Sequence, residues 1–94
     1  MATRSRLELN ANERKTLAAV REISARKRPR IAGKATAAEV AKKTRTTENV
    51  QRARIARLRS RGLLVGGTYP VRGALGTRHV GGYSLSRDGA RALG

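Results

Sequence analysis

The chain changes character at Gly62. Beyond it, the stretch "LLVGGTYPVRGALGTRHVGGYSLS" sets glycines at 66, 67, 73, 76, 81 and 82 among β-branched and aromatic residues, with Pro70 between them. In a helix each glycine forfeits about 1 kcal/mol relative to alanine and proline about 3, whereas both suit turns, bulges and edge strands. The segment after Gly62 is therefore hairpin material. A turn centred near Gly73 and Ala74 sets Gly66-Gly67 opposite Gly81-Gly82 and brings Val65 near Tyr83. That pairing predicts a narrow neck without side chains beneath a long loop.

Before Gly62 the grammar is helical. In "NANERKTLAAVREISARKRP", Asn10 followed three residues later by Glu13 has the reciprocal N-cap pattern, and Leu17, Val20, Ile23 and Ala25 supply an apolar side. Pro29 ends this helix or lies just beyond it. Thr36 and Glu39 repeat the capping-box spacing at the head of a short second helix, which Thr44, Thr46 and Thr47 interrupt. A third helix runs from Thr46 or Thr47 to Arg61, with Gly62 placed for a left-handed C-cap. Ser86 caps a terminal helix over 87–93 that turns Ala90 and Leu93 inward. The fold class expected is α+β: three helices, a β-hairpin and a short C-terminal helix. Residues 1–9 form a basic arm and 10–94 one domain.

Ninety-four residues hold one modest core, and with Tyr69 and Tyr83 as the only aromatics that core must be aliphatic. Platforms for stacking single-stranded bases have almost no material. The absence of cysteine removes disulfides and thiolate metal sites, and a single histidine, His79, removes imidazole clusters. His79 reads as a strand residue. The six acids show no spacing that gathers them in a cleft, so neither an enzyme nor a cofactor is expected.

The formal charge is +16, from 22 Lys and Arg against 6 Asp and Glu, and it is spread along the chain. Such self-repulsion opposes compaction unless a polyanion or bound counterions offset it. A membrane surface is disfavoured, because the sequence has no 18-residue apolar run, no signal pattern and no aromatic anchors on its basic helices. Nucleic acid is the leading candidate, and with it a cytoplasmic, nucleoid-associated location is expected.

The stretches "TAAEVAKKT", "ARIARLRSRGLL" and "YSLSRDGARAL" resemble the winged helix-turn-helix family, including MarR-like regulators, over residues 36–93. The resemblance implies that helix 46–61 enters the major groove of double-stranded DNA and that a wing at 68–79 meets the backbone or minor groove. The long dimerisation helices of MarR-like proteins have no counterpart here. A homodimer is expected instead through Leu17 and Val20 of the first helix, should the core leave them free. In that family an apolar residue commonly stands seven before the leucine that is Leu58 here, and this chain has Gln51 there beside Val50. Either Val50 takes the core role through a slight rotation, or the entry into helix three is irregular.

At 100° per residue with Val50 at zero, Leu58 and Ile55 fall at about 80 and 140° and define a buried arc with Val50. Arg54 lies nominally within that arc. Asn49, Arg52, Ala53, Ala56 and Arg59 face outward, and Arg57 sits on a shoulder. Outward alanines let a backbone lie close in a groove while Asn49 and Arg52 reach base edges or phosphate. An arginine coat on a solvated helix is the plain alternative, yet such a coat usually alternates its charges, and Glu48 is the one acid between Lys42 and Arg61. The candidate contacts are thus Arg45, Thr47, Asn49, Arg52, Ala53, Arg57 and Arg59 around helix three, and Arg28, Arg30 and Lys34 in "ARKRPRIAGK". Arg72 and Arg78 in the wing complete the set. Arg4 and Arg6 fit either an arm along a minor groove or a solubilising tail. The expected function is double-stranded DNA binding, as a transcriptional regulator or an architectural, chromatin-type protein. The alternative is a ribosomal or other ribonucleoprotein component that binds structured RNA.

Overall fold

A computed structural model of the chain describes residues 8–26 and 31–94. It contains α1 (Ala11–Ser24), α2 (Ala37–Thr44), α3 (Glu48–Ser60), the strands β1 (Leu64–Gly73) and β2 (Gly76–Leu85), and α4 (Arg87–Leu93). This is the layout of a winged helix-turn-helix. Arg4, Arg6, Arg28, Pro29 and Arg30 lie outside the described residues.

The local chemistry read from the sequence builds the helix ends. Asn10 and Glu13 close a reciprocal box at α1, and Thr36 and Glu39 do the same at α2. Thr47 caps α3, its hydroxyl accepting from the Val50 N–H, and Ser86 caps α4. At the far end of α3, Gly62 takes φ 78°. Its N–H reaches the Arg59 carbonyl at 2.9 Å and the Leu63 N–H reaches the Leu58 carbonyl at 2.9 Å. These paired bonds satisfy carbonyls the helix would otherwise leave open, and they reverse the chain into β1.

The core is aliphatic: Leu17, Val20 and Ile23 from α1, Val40 from α2, Ile55 and Leu58 from α3, then Leu63 and Leu64. Each such buried side chain contributes about 1.5–3 kcal/mol. Leu17 and Val20 are wholly enclosed, so a two-fold contact would have to use another surface. Ala25 is an exposed C-cap instead of a core residue, because α1 ends at Ser24. In α4 the residues against the core are Ala92 and Leu93, and Ala90 points out. Gly89 sets that rotation, since a Cβ there would lie 2.0 Å from the Leu63 carbonyl oxygen.

Gln51, not Val50, fills the apolar position seven before Leu58. Val50 is 40% exposed and Gln51 is sealed from solvent. Its carbonyl oxygen accepts from the Thr16 hydroxyl at 2.9 Å, and its amide donates to Thr44 Oγ1 at 3.1 Å and Thr46 Oγ1 at 2.7 Å. Thr44 Oγ1 in turn donates to the Val40 carbonyl at 2.7 Å, which leaves the Thr46 hydroxyl as donor in the 2.9 Å contact between the two threonines. With every polar atom paired, burial of the amide carries no orphan penalty. The network ties α1, α2 and the turn to α3.

The strands pair from Leu64↔Leu85 to Gly73↔Gly76 without a break. The turn is Ala74-Leu75, one residue later than symmetry alone suggests, so Gly67 faces Gly82 while Gly66 faces Tyr83. There is no long loop above a neck. The wing is a ladder to its tip, and the left-handed step is taken by Gly76 at φ 113°. The glycines make room for tyrosine rings. A Cβ on Gly81 would come within 2.5 Å of the Tyr83 hydroxyl, and one on Gly82 would crowd Tyr69 and Ile31. At the root, Ala35 and Tyr83 exchange both backbone bonds, at 2.7 and 2.8 Å. Tyr83 therefore directs its backbone away from β1, and alternation makes Pro70↔His79 a non-hydrogen-bonded pair. The missing N–H of Pro70 costs the ladder nothing.

Candidate nucleic-acid interface

With Gln51, Ile55 and Leu58 inward, the opposite face of α3 carries Asn49, Ala53, Ala56 and Ser60, all exposed. Their spacing of four, three and four residues makes one stripe along the helix. Arginines border it on both sides. Arg52 and Arg59 lie toward the hairpin; Arg54 and Arg57 lie toward the head of α1, lining a depression with Asn10, Asn12 and Glu13. Arg54 is half-buried there and does not belong to the core arc.

Arg52 and the wing share a groove. It encloses about 340 Å³ and is lined by Thr36, Ala37 and Ala38 at the head of α2, Glu48 and Arg52 of α3, and Arg78 through Gly81 with Tyr83 of β2. The outer edge of β2 borders this groove, and the alternation fixed by the Ala35–Tyr83 pair directs the backbone groups of His79 and Gly81 outward from that edge. Arg59 sits over the Tyr83 ring, 5.9 Å from its centre, a cation–π contact that holds one guanidinium at the wing root.

The acids are mostly committed to structure. Glu13 closes the α1 cap and pairs with Arg61 at 2.7 Å. Glu39 closes the α2 cap. Lys43 reaches Glu22 at 2.8 Å between α2 and α1; its hydrogen bond and charge, with a smaller contribution from Arg26, hold the Glu22 carboxyl below its ordinary value against a weak opposing desolvation. On the α3 face, Glu48 pairs with Arg52 at 3.2 Å. Among the described residues no acid forms an ion pair with Arg54, Arg57, Arg59, Arg72 or Arg78.

The candidates named from sequence thus fall into groups. Asn49, Arg52, Ala53, Arg57 and Arg59 share the exposed side of α3, and Thr47 stands at its head with its oxygen in the cap and its hydroxyl hydrogen still able to donate. Arg78 joins Arg52. Arg72 pairs with Thr77 and Arg78 with Val71, on adjacent rungs, so the two wing arginines project from opposite faces. Lys34 stands apart: its ammonium donates to Ser84 Oγ at 3.0 Å and lies 6.0 Å from the centre of the Tyr69 ring, bracing the wing root. Arg45 lines a separate depression with Lys15, Ala18, Ala19, Glu22, Lys43 and Thr44. It has φ 58° and ψ 43°, a left-handed C-cap in a residue other than glycine.

Sequence reasoning missed the part played by Thr36, Ala37 and Ala38. The capping box did signal a helix head there, but nothing local tells that this head borders α3 and the wing.

No family model, no curated protein and no solved structure matches the chain. No helix among the described residues is long and apolar enough to cross a membrane.

Proposed function

We propose that the chain is a member of the winged helix-turn-helix family that binds double-stranded DNA, as a transcriptional regulator or an architectural, chromatin-type protein. In this reading α3 enters the major groove, the wing meets the backbone or minor groove, and the protein acts on the nucleoid. The observation that carries the reading is the stripe Asn49, Ala53, Ala56 and Ser60 with arginines along both borders. Small side chains let a helix approach base edges closely, and flanking guanidiniums meet the two phosphate walls of the groove. The groove shared by Arg52 and Arg78 extends the same basic surface from α3 onto the wing.

Competition tests the reading. A labelled duplex bound to the chain is challenged with unlabelled random duplex and, separately, with folded RNA of equal phosphate content. Displacement by duplex at least as effective as by RNA is expected. Tighter binding to folded RNA, or stoichiometric recovery with ribosomal particles at high salt, would replace it with the ribonucleoprotein reading. A duplex preferred over random sequence by about 10³-fold or more indicates a regulator, and a nearly uniform affinity indicates the architectural role.

A further inference from the structure

The tip of the hairpin is Ala74-Leu75, and Leu75 is fully exposed. A single exposed leucine is ordinary on a protein surface, so its position has to carry the argument. Hairpin tips favour Gly, Asn and Asp, which tolerate the left-handed conformations of tight turns. Here Gly76 takes the left-handed step at φ 113°, and positions 74 and 75 are left to residues that turn geometry does not select. Both are apolar, and neither belongs to the core.

Leu75 also stands at the end of an arm. Gly82 is the last buried residue of the wing root, where it meets Ile31 and Lys34. The rungs from Thr68↔Gly81 to Gly73↔Gly76 extend beyond it, a reach of about 20 Å at about 3.3 Å per residue. Half a turn of duplex, which separates a major groove from the next minor groove, is about 17 Å. Just below the tip, Arg72 and Arg78 project from opposite faces of the ribbon, so an arm entering a minor groove about 6 Å wide offers one cation to each phosphate wall.

We infer that the wing tip enters the minor groove beside the α3 site and that Leu75 acts as a wedge, partly unstacking one base step and kinking the duplex. This rests on the duplex-binding reading. The step it favours is pyrimidine–purine, which unstacks most readily, and the kink expected is about 20–90° toward the major groove.

The test uses the full chain and a short duplex with a fluorescence donor and acceptor at its two ends, with binding followed separately by anisotropy. At saturation the parent should raise end-to-end transfer, as a bent duplex requires. Leu75→Ser should still saturate the duplex but lose most of that rise, and Leu75→Met should keep it. Leu75 packs against nothing in the core, so neither change threatens the fold. An equal rise with Leu75→Ser, or a straight duplex bound by the parent, would overturn the wedge and leave duplex binding intact. Failure of the parent to bind any duplex would overturn both. Tighter binding to phosphatidylglycerol vesicles than to duplex, lost in Leu75→Ser, would also overturn it and assign the tip to a lipid surface.

Discussion

The Thr16 hydroxyl donates to the side-chain carbonyl of Gln51 at 2.9 Å, with both residues closed to solvent. This bond crosses from α1 to α3 and fixes which face of α3 is left for a partner. Gln51→Leu satisfies the apolar periodicity yet removes the acceptor for Thr16 and the donor for Thr44 and Thr46. It should destabilise the chain by about 1–3 kcal/mol. Thr16→Val alone should also destabilise, by leaving the Gln51 oxygen unpaired. The double variant should be more stable than the two single losses sum to, because it removes both ends of the buried bond. Urea unfolding of the four proteins measures this, and strictly additive losses would show that the bond does not couple the helices.

Much of the helical part was legible because its chemistry is local. Asn10 with Glu13, Thr36 with Glu39, and Gly62 after Arg61 each act within a few residues, and each sits where the sequence places it. The exposed face of α3 was legible in outline from Leu58 and Ile55. Burial of Gln51 was not, because it depends on threonines from α1, α2 and the turn. The hairpin register was missed by one residue for a similar reason. The doubled glycines are nearly symmetric, and what decides between registers is the non-local pairing of Tyr83 with Ala35 and the fit of the tyrosine rings over Gly81 and Gly82. That Arg78, rather than Arg72, joins Arg52 follows from this register.

Arg45 ends α2 in the left-handed region, at φ 58°. A side chain there costs roughly 1–2 kcal/mol that glycine avoids, against a larger loss of freedom for glycine on folding. Arg45→Gly should therefore raise stability by about 0.5–1 kcal/mol, read as a higher urea midpoint with unchanged slope. A lower midpoint would mean that the Arg45 side chain contributes more to the fold than its backbone conformation costs.

Gly89 makes the opposite case. Alanine is the better helix former by about 1 kcal/mol, so propensity alone predicts that Gly89→Ala strengthens α4. The Cβ would instead lie 2.0 Å from the Leu63 carbonyl oxygen, and the obstacle is backbone. The variant should lose about 1–3 kcal/mol as α4 is displaced from the core. A gain in thermal stability would contradict the packing of α4 described above.

The arginines are separable by what each loss changes. Arg52→Ala should weaken duplex binding with the fold intact, and if the guanidinium reads a base edge it should flatten discrimination at one position by about 1–3 kcal/mol. Glu48→Gln should tighten binding about two- to fivefold, because the exposed Glu48–Arg52 pair is worth at most about 1 kcal/mol and its loss frees the guanidinium. Arg72→Ala should weaken all sequences alike and lower the salt slope by about one. An Arg52→Ala isotherm that overlays the parent at the same salt would remove α3 from the interface.

The arginine-bordered face of α3 and the wing together present one cationic surface, and the salt dependence of duplex affinity measures how much of it meets phosphate. Neutralising about six to ten phosphates predicts a log–log slope of about −5 to −9, a loss of about 10³ to 10⁵ in affinity between 50 and 200 mM salt. A slope shallower than about −3 would show that most of these arginines do not meet phosphate and would contradict duplex binding through α3 and the wing.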